Sequence, residues 1–520
     1  MALVLLRGRA LFILTDMKRF FYPLCYLLFT AFALPIYAQS GFINKYDLGL
    51  DLAIFSGMLQ QNDTTVLYGY GADTSDNPFA GFLIAKIDTL GNIIDFNVSY
   101  VYNQGANGYT PTRAFLVDND GGYACSGNSF FTNEAAIVKF RDDLSSDTTL
   151  YYSLDTSQVS VGFDYLQAMP GGYLLGGQVG EADFSTHPIM LKVDANDTLL
   201  WQKNYRVMPG EQNVLKDIIK LSDNEYVIVG NTAPYSVTMN TYIYSWMFGI
   251  DTSGTVLWEW ESDTTDLKLA FSEVIKNGTD GWVAAIINAE WNANGTKYKD
   301  YGGITRLNED KEIVWETSLG SGEPWFTIAN LLDLAPTIDG NWVGVGTLFS
   351  DSLHAQAAWM VAVSATGDSL WARTDTLRHN NARYSSELAA VVVLPSGSIV
   401  AAGSTLHPNT GKYYGLLIKT DPRGCIEADC HPYSISGADA PNDITFRIGP
   451  NPTSGLLQVH TGSSIAFSAE LYDGAGRVLA SRENMHDGDT LDISGVPSGQ
   501  YFVRIKTAGS STVVHSVIRI

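Results

Sequence analysis

Short apolar runs separated by turn residues dominate the chain between residues 50 and 430. Residues 389–394, Ala-Ala-Val-Val-Val-Leu, form one such run, and Gly-Gly, Asp-Gly or Pro-Gly pairs lie between many of the runs. Runs of this length are short for helices and are typical of strands buried on both faces of a sheet. Glycine beside Asp or Pro favours tight hairpins. The pattern predicts an all-β protein built from short strands.

One pattern of strands recurs seven times. A full copy has an apolar strand, a tight turn, a second strand that ends in glycine, a third strand that ends in a polar turn, and a fourth strand. Four short strands per unit are typical of a β-propeller blade, so the repeat predicts a seven-bladed β-propeller over residues 39–430. The turn after the third strand recurs at intervals of 52 to 57 residues, at Asp88, Asp142, Asp194, Asp251, Asn308, Ser364 and Asp421.

The seventh copy lacks a fourth strand of its own, because the chain continues after Gly424 into a polar segment. Residues 41–46 precede the first copy and resemble the end of a fourth strand. Their Asn-Lys-Tyr at 44–46 is similar to the Lys-Asn-Tyr at 203–205. We expect residues 41–46 to complete the seventh unit, which would remove an open sheet edge.

Large aromatic side chains recur with the repeat, and we expect them to pack between blades. The second strand begins with an aromatic residue in six copies, at Tyr68, Tyr123, Tyr173, Tyr226, Trp282 and Trp342. The fourth strand carries Trp201, Trp258, Trp315 and Trp371, with Phe96 in the first copy.

The first 38 residues have the order of a secretory signal peptide. Basic residues follow Met17, an apolar stretch runs to Ile36, and a small residue, Ala38, precedes the predicted cleavage point. Met17 is the better start of such a signal. A retained membrane anchor is the alternative. After residue 38, no stretch approaches the roughly 20 apolar residues of a spanning helix.

The charge of the chain argues against nucleic acid as a partner. The formal net charge is −23. Residues 1–38 hold four basic residues against one acidic residue, a net +3, so the remainder carries −26. Such a field repels a phosphate backbone and keeps a protein soluble.

Three cysteines remain after the predicted signal. Cys125 lies in an apolar strand, which indicates a buried thiol. Cys425 and Cys430 are five residues apart, and export makes an oxidised pair plausible. We predict a Cys425–Cys430 disulfide at the end of the propeller.

The periodicity changes after residues 431–443, which form a polar linker. Alternating strands and turns over residues 444–520 predict a small Ig-like β-sandwich. Three motifs occur in order: Pro-Asn-Pro-Thr-Ser-Gly at 450–455, Asp-x-x-Gly-Arg-Val at 473–478, and Gly-Val-Pro-Ser-Gly-Gln-Tyr at 495–501. Their conspicuous residues are Pro450, Asn451, Pro452, Gly455, Asp473, Gly476, Arg477, Gly495, Pro497, Gly499 and Tyr501.

In these motifs the tail resembles the type A C-terminal sorting domain of the Bacteroidetes type IX secretion system. The resemblance covers about a seventh of the chain, and Val-Ile-Arg-Ile at 517–520 departs from a common ending in Lys. It implies a two-step route: the signal peptide carries the chain to the periplasm, and the tail directs it across the outer membrane. It also implies that the type IX machinery is a partner.

The sequence does not identify a catalytic centre. It has no His-Glu-x-x-His, no Gly-x-Ser-x-Gly and no phosphate-binding loop. The predicted turns hold most of its acidic runs, and Asp487, Asp489 and Asp492 are too weak a pattern for a calcium site. We therefore assign no catalytic residue, metal or cofactor.

The preferred interpretation is a secreted or cell-surface, non-catalytic propeller that binds a glycan or a protein. The longest departure from the repeat is residues 291–300 in the fifth unit, and we expect Trp291 and Tyr298 there to contact the ligand. The alternatives are a hydrolase or lyase acting on polysaccharide with carboxylates around the propeller channel, and a structural repeat protein of the cell surface.

Overall fold

A computed structural model describes nineteen stretches of the chain, and every regular element in them is a strand. The described residues are 41–61, 63–73, 81–100, 115–118, 121–128, 134–154, 160–209, 211–234, 244–262, 270–291, 298–319, 328–349, 356–379, 382–426, 447–449, 453–460, 466–472, 477–507 and 512–519. The chain divides into two compact units, Met1–Ser436 and Gly437–Ile520. The predicted signal peptide, the linker and Cys430 lie outside the described residues.

Antiparallel runs of four strands, here called meanders, make up the first unit. Single parallel pairs, Thr186 with Gln212 and Asp300 with Ile328, join the third meander to the fourth and the fifth to the sixth into two eight-stranded sheets. The strands before and in the first three meanders are β1 (Phe42–Tyr46), β2 (Leu52–Gln61), β3 (Thr64–Ala72), β4 (Gly81–Asp88), β5 (Ile93–Ser99), β6 (Phe115–Val117), β7 (Tyr123–Asn128), β8 (Ala135–Phe140), β9 (Ser146–Tyr152), β10 (Ser160–Met169), β11 (Gly172–Gly180), β12 (Thr186–Asp194) and β13 (Leu199–Asn204). The first meander is β2–β5, the second β6–β9 and the third β10–β13.

The remaining strands of this unit continue the same order. They are β14 (Glu211–Lys220), β15 (Glu225–Pro234), β16 (Tyr244–Asp251), β17 (Val256–Glu261), β18 (Ala270–Lys276), β19 (Trp282–Trp291), β20 (Tyr298–Leu307), β21 (Ile313–Leu319), β22 (Ile328–Pro336), β23 (Trp342–Phe349), β24 (Gln356–Val363), β25 (Ser369–Asp375), β26 (Arg378–His379), β27 (Ala382–Arg383), β28 (Ser385–Val393), β29 (Ile399–Leu406) and β30 (Tyr413–Thr420). The fourth to sixth meanders are β14–β17, β18–β21 and β22–β25, and β26 and β27 form a short hairpin.

The seventh meander is completed by the N-terminal strand, as the sequence predicts. Its sheet order is β1-β30-β29-β28. β1 pairs antiparallel with β30 from Phe42 opposite Lys419 to Tyr46 opposite Gly415. The two ends of the first unit therefore share one sheet, and the edge of β30 is covered.

The first strands of the meanders form a closed inner series. Within the described residues, β2, β6, β10, β14, β18, β22 and β28 each contact the next strand in this order, and β28 contacts β2. The hydrophobic core lies between neighbouring meanders, as where Phe55 and Leu83 of the first pack with Ala390 and Leu417 of the seventh. Consecutive meanders whose inner strands close on themselves are the pattern of a β-propeller.

A β-bulge interrupts the inner strand at one repeated position. The pairing register shifts in six meanders, at Ser56, Asp164, Lys216, Ser272, Leu332 and Ala389. The glycine that the sequence analysis places at the end of the second strand lies inside that strand and opposite the bulge in five of them. A Cβ on Gly403 would lie 2.0 Å from the carbonyl oxygen of Glu387, and one on Gly69 would lie 1.9 Å from that of Ile54. The close approach of the bulged backbone therefore explains why the repeat carries glycine there.

The turn after each third strand contacts the preceding meander. A side chain of the preceding fourth strand donates a hydrogen bond to the carbonyl of the last turn residue in six of seven junctions within the described residues. Tyr205 Oη donates to the Gly254 carbonyl at 2.8 Å, and Tyr46 Oη donates to the Gly91 carbonyl at 2.8 Å. The predicted similarity of residues 44–46 to residues 203–205 is thus confirmed, because the tyrosine of each segment makes the same hydrogen bond. The other donors are Asn97, Tyr152, Thr317 and Arg373.

The strand register corrects three assignments in the first two copies of the repeat. Trp201 lies opposite Lys192, and the residue opposite the matching Lys86 is Asp95 rather than Phe96. By the same register, the second-strand position that is aromatic in other copies is occupied in the first copy by Thr65, which pairs with Ile87, and not by Tyr68. The second turn closes from Leu144 to Arg141, so it begins one residue before Asp142. In these copies residue type and backbone pairing disagree. Backbone pairing, not side-chain identity, decides which positions of two copies are equivalent.

The second unit contains two sheets around one core. Its strands are β31 (Arg447–Gly449), β32 (Leu456–His460), β33 (Phe467–Tyr472), β34 (Val478–Met485), β35 (Thr490–Asp492), β36 (Gly499–Thr507) and β37 (Thr512–Arg519). The sheets are β31-β32-β35 and β34-β33-β36-β37. Leu457 of one sheet and Leu471 and Val503 of the other belong to the same buried cluster. Alternation along the strands therefore places one face of each sheet in the core.

Candidate functional site

The two ends of the meanders differ in the length of their connections. Antiparallel pairing places the first-to-second and third-to-fourth connections at one end and the others at the opposite end. At one end, here called the short-turn end, the connections are two to five residues long. At the other, here called the long-connection end, they are five to fifteen residues long. Long connections on a rigid scaffold are the usual carriers of binding residues.

Among the described residues, the hairpin of β19 and β20 extends farthest toward the long-connection end. Ten positions pair along it, from Trp282 opposite Leu307 to Trp291 opposite Tyr298. The second and third strands pair over six to nine positions in the other meanders. Trp291 and Tyr298 are therefore cross-strand partners at the tip of a hairpin. Part of the segment predicted as an insert, residues 291–300, is strand rather than loop.

The bulge residues of the inner strands, together called the bulge level, include a charged pair. Asp164 and Lys216 are bulge residues of neighbouring meanders, and both side chains are half-buried between fully buried neighbours such as Phe163 and Leu215. Burial raises the pKa of the Asp164 carboxyl to about 7, against the opposing effect of the Lys216 charge. Burial also lowers the pKa of the Lys216 amine, against the opposing effect of Asp164. The two groups thus interact electrostatically in a setting with little water.

Two further polar residues lie one step nearer the long-connection end. Glu387 and Asn330 each precede a bulge by two positions and therefore share its face of the strand. Burial raises the pKa of the Glu387 carboxyl, and a hydrogen bond from Ser404 Oγ at 3.2 Å opposes the shift. Within the described residues, Asn330 Oδ1 is buried and accepts no hydrogen bond.

Many of the acidic residues singled out in the sequence are engaged in turns. Asp88 Oδ1 accepts the amides of Leu90 and Asn92 at 2.9 and 2.8 Å, and Asp251 accepts those of Ser253 and Thr255. Side-chain hydrogen bonds from Asn92 to Asp88 and from Ser253 to Asp251, together with these amides, lower the pKa of both carboxyls. In the tail, Asp492 accepts the Ser494 amide at 2.9 Å. Their first role is therefore to hold the turn backbone.

Three buried acidic residues were missed in the sequence. Asp217, Glu273 and Asp333 each follow the bulge, in the fourth, fifth and sixth meanders, and are nearly inaccessible. Asp333 Oδ2 accepts the amide of Val391 in the seventh meander at 2.7 Å, and its Oδ1 accepts the amide of Leu334 at 2.9 Å. The sequence does contain a pattern that indicates them. An acidic residue stands two positions after an apolar residue in the first strand of three successive copies.

The recurrent tryptophans contact the turn of the next meander. Trp201 Nε1 donates to the Thr252 carbonyl at 3.3 Å, and Trp315 Nε1 donates to the Ala365 carbonyl at 3.2 Å. The Lys311 ammonium lies 4.2 Å from the ring centroid of Trp258. The prediction that these tryptophans pack between blades is confirmed by their contacts with neighbouring meanders.

The cysteines are described in part. Cys125 is a free thiol, buried in β7, as expected, and burial raises its pKa. Cys425 is fully buried and is not among the free cysteines. Because Cys430 lies outside the described residues, the Cys425–Cys430 disulfide stays a prediction.

Several motif residues of the tail have local structural roles. Tyr501 is buried, and its hydroxyl donates to the Pro497 carbonyl at 2.8 Å. Gly455 has φ +142°, and a Cβ there would lie 2.8 Å from Ser494 Cβ. Gly495, Gly499 and Arg477 are exposed. Pro450, Asn451, Pro452, Asp473 and Gly476 lie outside the described residues.

The described residues contain no group of three or more His, Cys, Asp or Glu side chains placed to hold a metal ion. In the same ranges, no helix has the length and hydropathy needed to cross a membrane.

Residues 447–519 match the family described as the secretion system C-terminal sorting domain. The tail is therefore an export domain that the type IX machinery handles. The protein is a β-propeller cargo of type IX secretion that reaches the cell surface or is secreted.

Comparison of whole chains adds only distant likenesses. No curated protein matches the chain. A puromycin hydrolase structure has 10% identity and a TM-score of 0.39 over 81% of this chain and 58% of its own, so this chain spans little more than half of that enzyme. The β-propeller domain of the Trilobed protease from Pyrococcus furiosus has 9% identity and a TM-score of 0.38 over 75% and 99%. The α-L-arabinofuranosidase Arb93A from Fusarium graminearum has 11% identity and a TM-score of 0.38 over 73% and 97%.

Proposed function

We propose that this protein is a non-catalytic recognition module of the cell surface that binds a glycan or a protein at its long-connection end. The observation that supports this most is the extended β19–β20 hairpin, whose tip pairs Trp291 with Tyr298. Tryptophan and tyrosine supply large amphipathic contact areas at little conformational cost, and are common in recognition sites. The machinery that handles the tail places such a module outside the cell.

The architecture that we propose has four parts. Residues 1–38 are a signal peptide, with Met17 as the true start, and residues 39–430 are one closed seven-bladed propeller. Residues 431–443 are a linker, and residues 444–520 are an Ig-like sandwich. The closed series of inner strands and the pairing of β1 with β30 support the seven-bladed ring. A Cys425–Cys430 disulfide would secure the last turn next to β1.

A polysaccharide hydrolase or lyase is the second candidate, and Asp164 favours it. A carboxyl group with a pKa near 7 is suited to general acid catalysis at neutral pH. Its half-buried place on an inner strand is one that a ligand inside the ring would reach. The third candidate, a structural repeat protein of the surface, would need neither site.

The three candidates are separated by incubating the exported chain with a panel of soluble polysaccharides. Retention in affinity gels measures binding, and release of reducing ends measures cleavage. The proposal predicts retention without new reducing ends, reduced at least about tenfold by Trp291→Ala or Tyr298→Ala, since anchoring aromatic residues contribute 2 kcal/mol or more. Phe96→Ala is the matched control, because Phe96 is an exposed aromatic on an outer strand.

New reducing ends that disappear with Asp164→Asn would replace the proposal by the hydrolase. Absence of both retention and cleavage would contradict both glycan functions and leave a protein partner as the target of the next search.

A further inference from the structure

The inner strands carry a polar arrangement that the recognition hairpin does not use. Asp164 and Lys216 occupy the bulge level in the third and fourth meanders, where the side chains are half-buried. The matching residues of the sixth and seventh meanders are Leu332 and Ala389, also half-buried. Since the inner strands close into one series, one side of this level is charged and another is apolar.

The long-connection side of the same series adds hydrogen-bond acceptors. Asn330 and Glu387 lie on the sixth and seventh meanders, whose bulge residues are apolar. Each precedes the bulge residue of its strand, Leu332 or Ala389, by two positions. Asn330 Oδ1 is buried without a hydrogen-bond donor among the described residues. A buried acceptor that is left without a donor costs free energy, so such groups are usually satisfied by water or a ligand.

The balance of donors and acceptors restricts the ligand. Asp164, Glu387 and Asn330 provide acceptors, while Lys216 provides donors and interacts electrostatically with Asp164. An anionic ligand would meet two carboxyl groups, whereas hydroxyl groups can donate to the acceptors and accept from Lys216. A sugar ring also presents apolar C–H faces, which suit Leu332 and Ala389.

We propose that these six residues form a subsite inside the ring for the terminal unit of a neutral saccharide. It rests on the proposed glycan recognition and deepens it: Trp291 and Tyr298 would contact the body of the glycan, and the inner strands would hold its end. A chain that enters from the long-connection end would reach Asn330 and Glu387 before Asp164 and Lys216.

The test measures binding of the exported full-length chain to neutral gluco-, xylo-, manno- and galacto-oligosaccharides by titration calorimetry. At least one oligosaccharide should bind, and Asp164→Asn and Lys216→Met should each weaken its binding tenfold or more. Lys220→Met is the matched control, because Lys220 lies on the same strand and is exposed at the short-turn end. It should leave binding unchanged.

Ala389→Phe provides a second test that does not alter the charges. The larger side chain would occupy the apolar side of the level and should abolish binding of short oligosaccharides while retention of the polymer on Trp291 and Tyr298 persists. Thermal unfolding of each variant shows whether it is folded.

Two results would overturn the subsite. The first is oligosaccharide binding that survives all three inner-strand variants but is lost in Trp291→Ala, which leaves the recognition proposal standing. The second is a complete absence of binding to every oligosaccharide while polymer retention remains. If the wild-type protein is not retained by any polymer, the recognition proposal itself is contradicted.

Discussion

A single carboxylate beside the bulge of the sixth meander connects it with the seventh. Asp333 accepts one amide of its own strand and one from the next meander, and the whole group is almost inaccessible to water. Both carboxylate oxygens therefore accept buried backbone amides. At the residue scale, this side chain joins the sixth and seventh meanders, in addition to the bond from Arg373 to the Gly424 carbonyl.

Asp333→Asn should lower the free energy of unfolding by about 1 to 3 kcal/mol, because an amide retains only one acceptor and places an N–H group against a backbone N–H. Chemical denaturation measures the change. Asp339→Asn, at an exposed turn of the same meander, is the control and should change stability by no more than about 0.5 kcal/mol. Equal losses in both variants would show that the junction does not depend on the buried hydrogen bonds.

Asp164 should give the protein a pH-dependent stability. Its pKa is raised to about 7 in the folded chain, while an unfolded Asp has a pKa of about 3.9. Between these values the folded carboxyl keeps its proton and the unfolded one has lost it, so stability is complete below the unfolded value and falls as pH rises toward 7. Asp164→Asn should remove this decline.

Denaturation of wild-type and Asp164→Asn protein across this pH range measures the effect. Asp339→Asn should keep the wild-type slope. Parallel curves for wild type and Asp164→Asn would mean that Asp164 is charged in the folded chain throughout the range.

At the scale of elements, six of the seven fourth strands in the described residues are joined to the turn of the next meander. β1 takes this role for the first meander, where Tyr46 Oη donates to Gly91, and the end of β13 takes it for the fourth, where Oη of the following residue, Tyr205, donates to Gly254. The Lys419 ammonium adds a bond from β30 to the Thr89 carbonyl at 3.0 Å. The seventh-to-first junction is thus made like the others, although its two sides are distant in sequence.

Tyr205→Phe should cost about 1 kcal/mol of stability, because it removes one buried hydrogen bond and leaves the Gly254 carbonyl unpaired on that side. Tyr46→Phe should cost less, since Asn44 Nδ2 also donates to the Gly91 carbonyl, at 3.0 Å. Chemical denaturation of the two variants and of Asn44→Ala/Tyr46→Phe measures these costs. The idea fails if Tyr46→Phe is the more damaging single change and the double variant adds nothing.

At the scale of the whole molecule, the tail is a separate compact unit with its own core and its own role in export. It contains a close approach at Gly455, where the backbone has positive φ and Ser494 occupies the space of a side chain. The Gly455 carbonyl also accepts the Ile493 amide at 2.7 Å. Damage to this contact should affect export without unfolding the propeller.

Gly455→Val should therefore leave the protein in the periplasm, as deletion of residues 447–519 should. Glu483→Val is the matched control, because Glu483 is exposed on β34 and lies outside the three motifs of the tail. Cell fractionation and immunoblotting measure the location. Surface delivery of the Gly455→Val protein at the wild-type level would contradict the role assigned to this contact.

The sequence by itself determined the class of fold, the number and order of the strands in each repeat, and the export route. These properties follow from local periodicity, turn residues and motifs within short segments, and even the closing role of residues 41–46 was readable from Asn-Lys-Tyr. It also located the aromatic positions of most copies. The errors at Phe96, Tyr68 and Asp142 arose where residue type and backbone register disagree.

Only the tertiary structure decided which polar residues meet. Asp164 and Lys216 are 52 positions apart, and Asp333 and Val391 are 58 apart, so their proximity depends on how neighbouring meanders pack. The β-bulge that orients the inner side chains depends on pairing between strands, and the glycine opposite it was the one local trace. Burial then shifted the pKa of Asp164, which no pattern along the chain could show, because desolvation is a property of the folded surroundings.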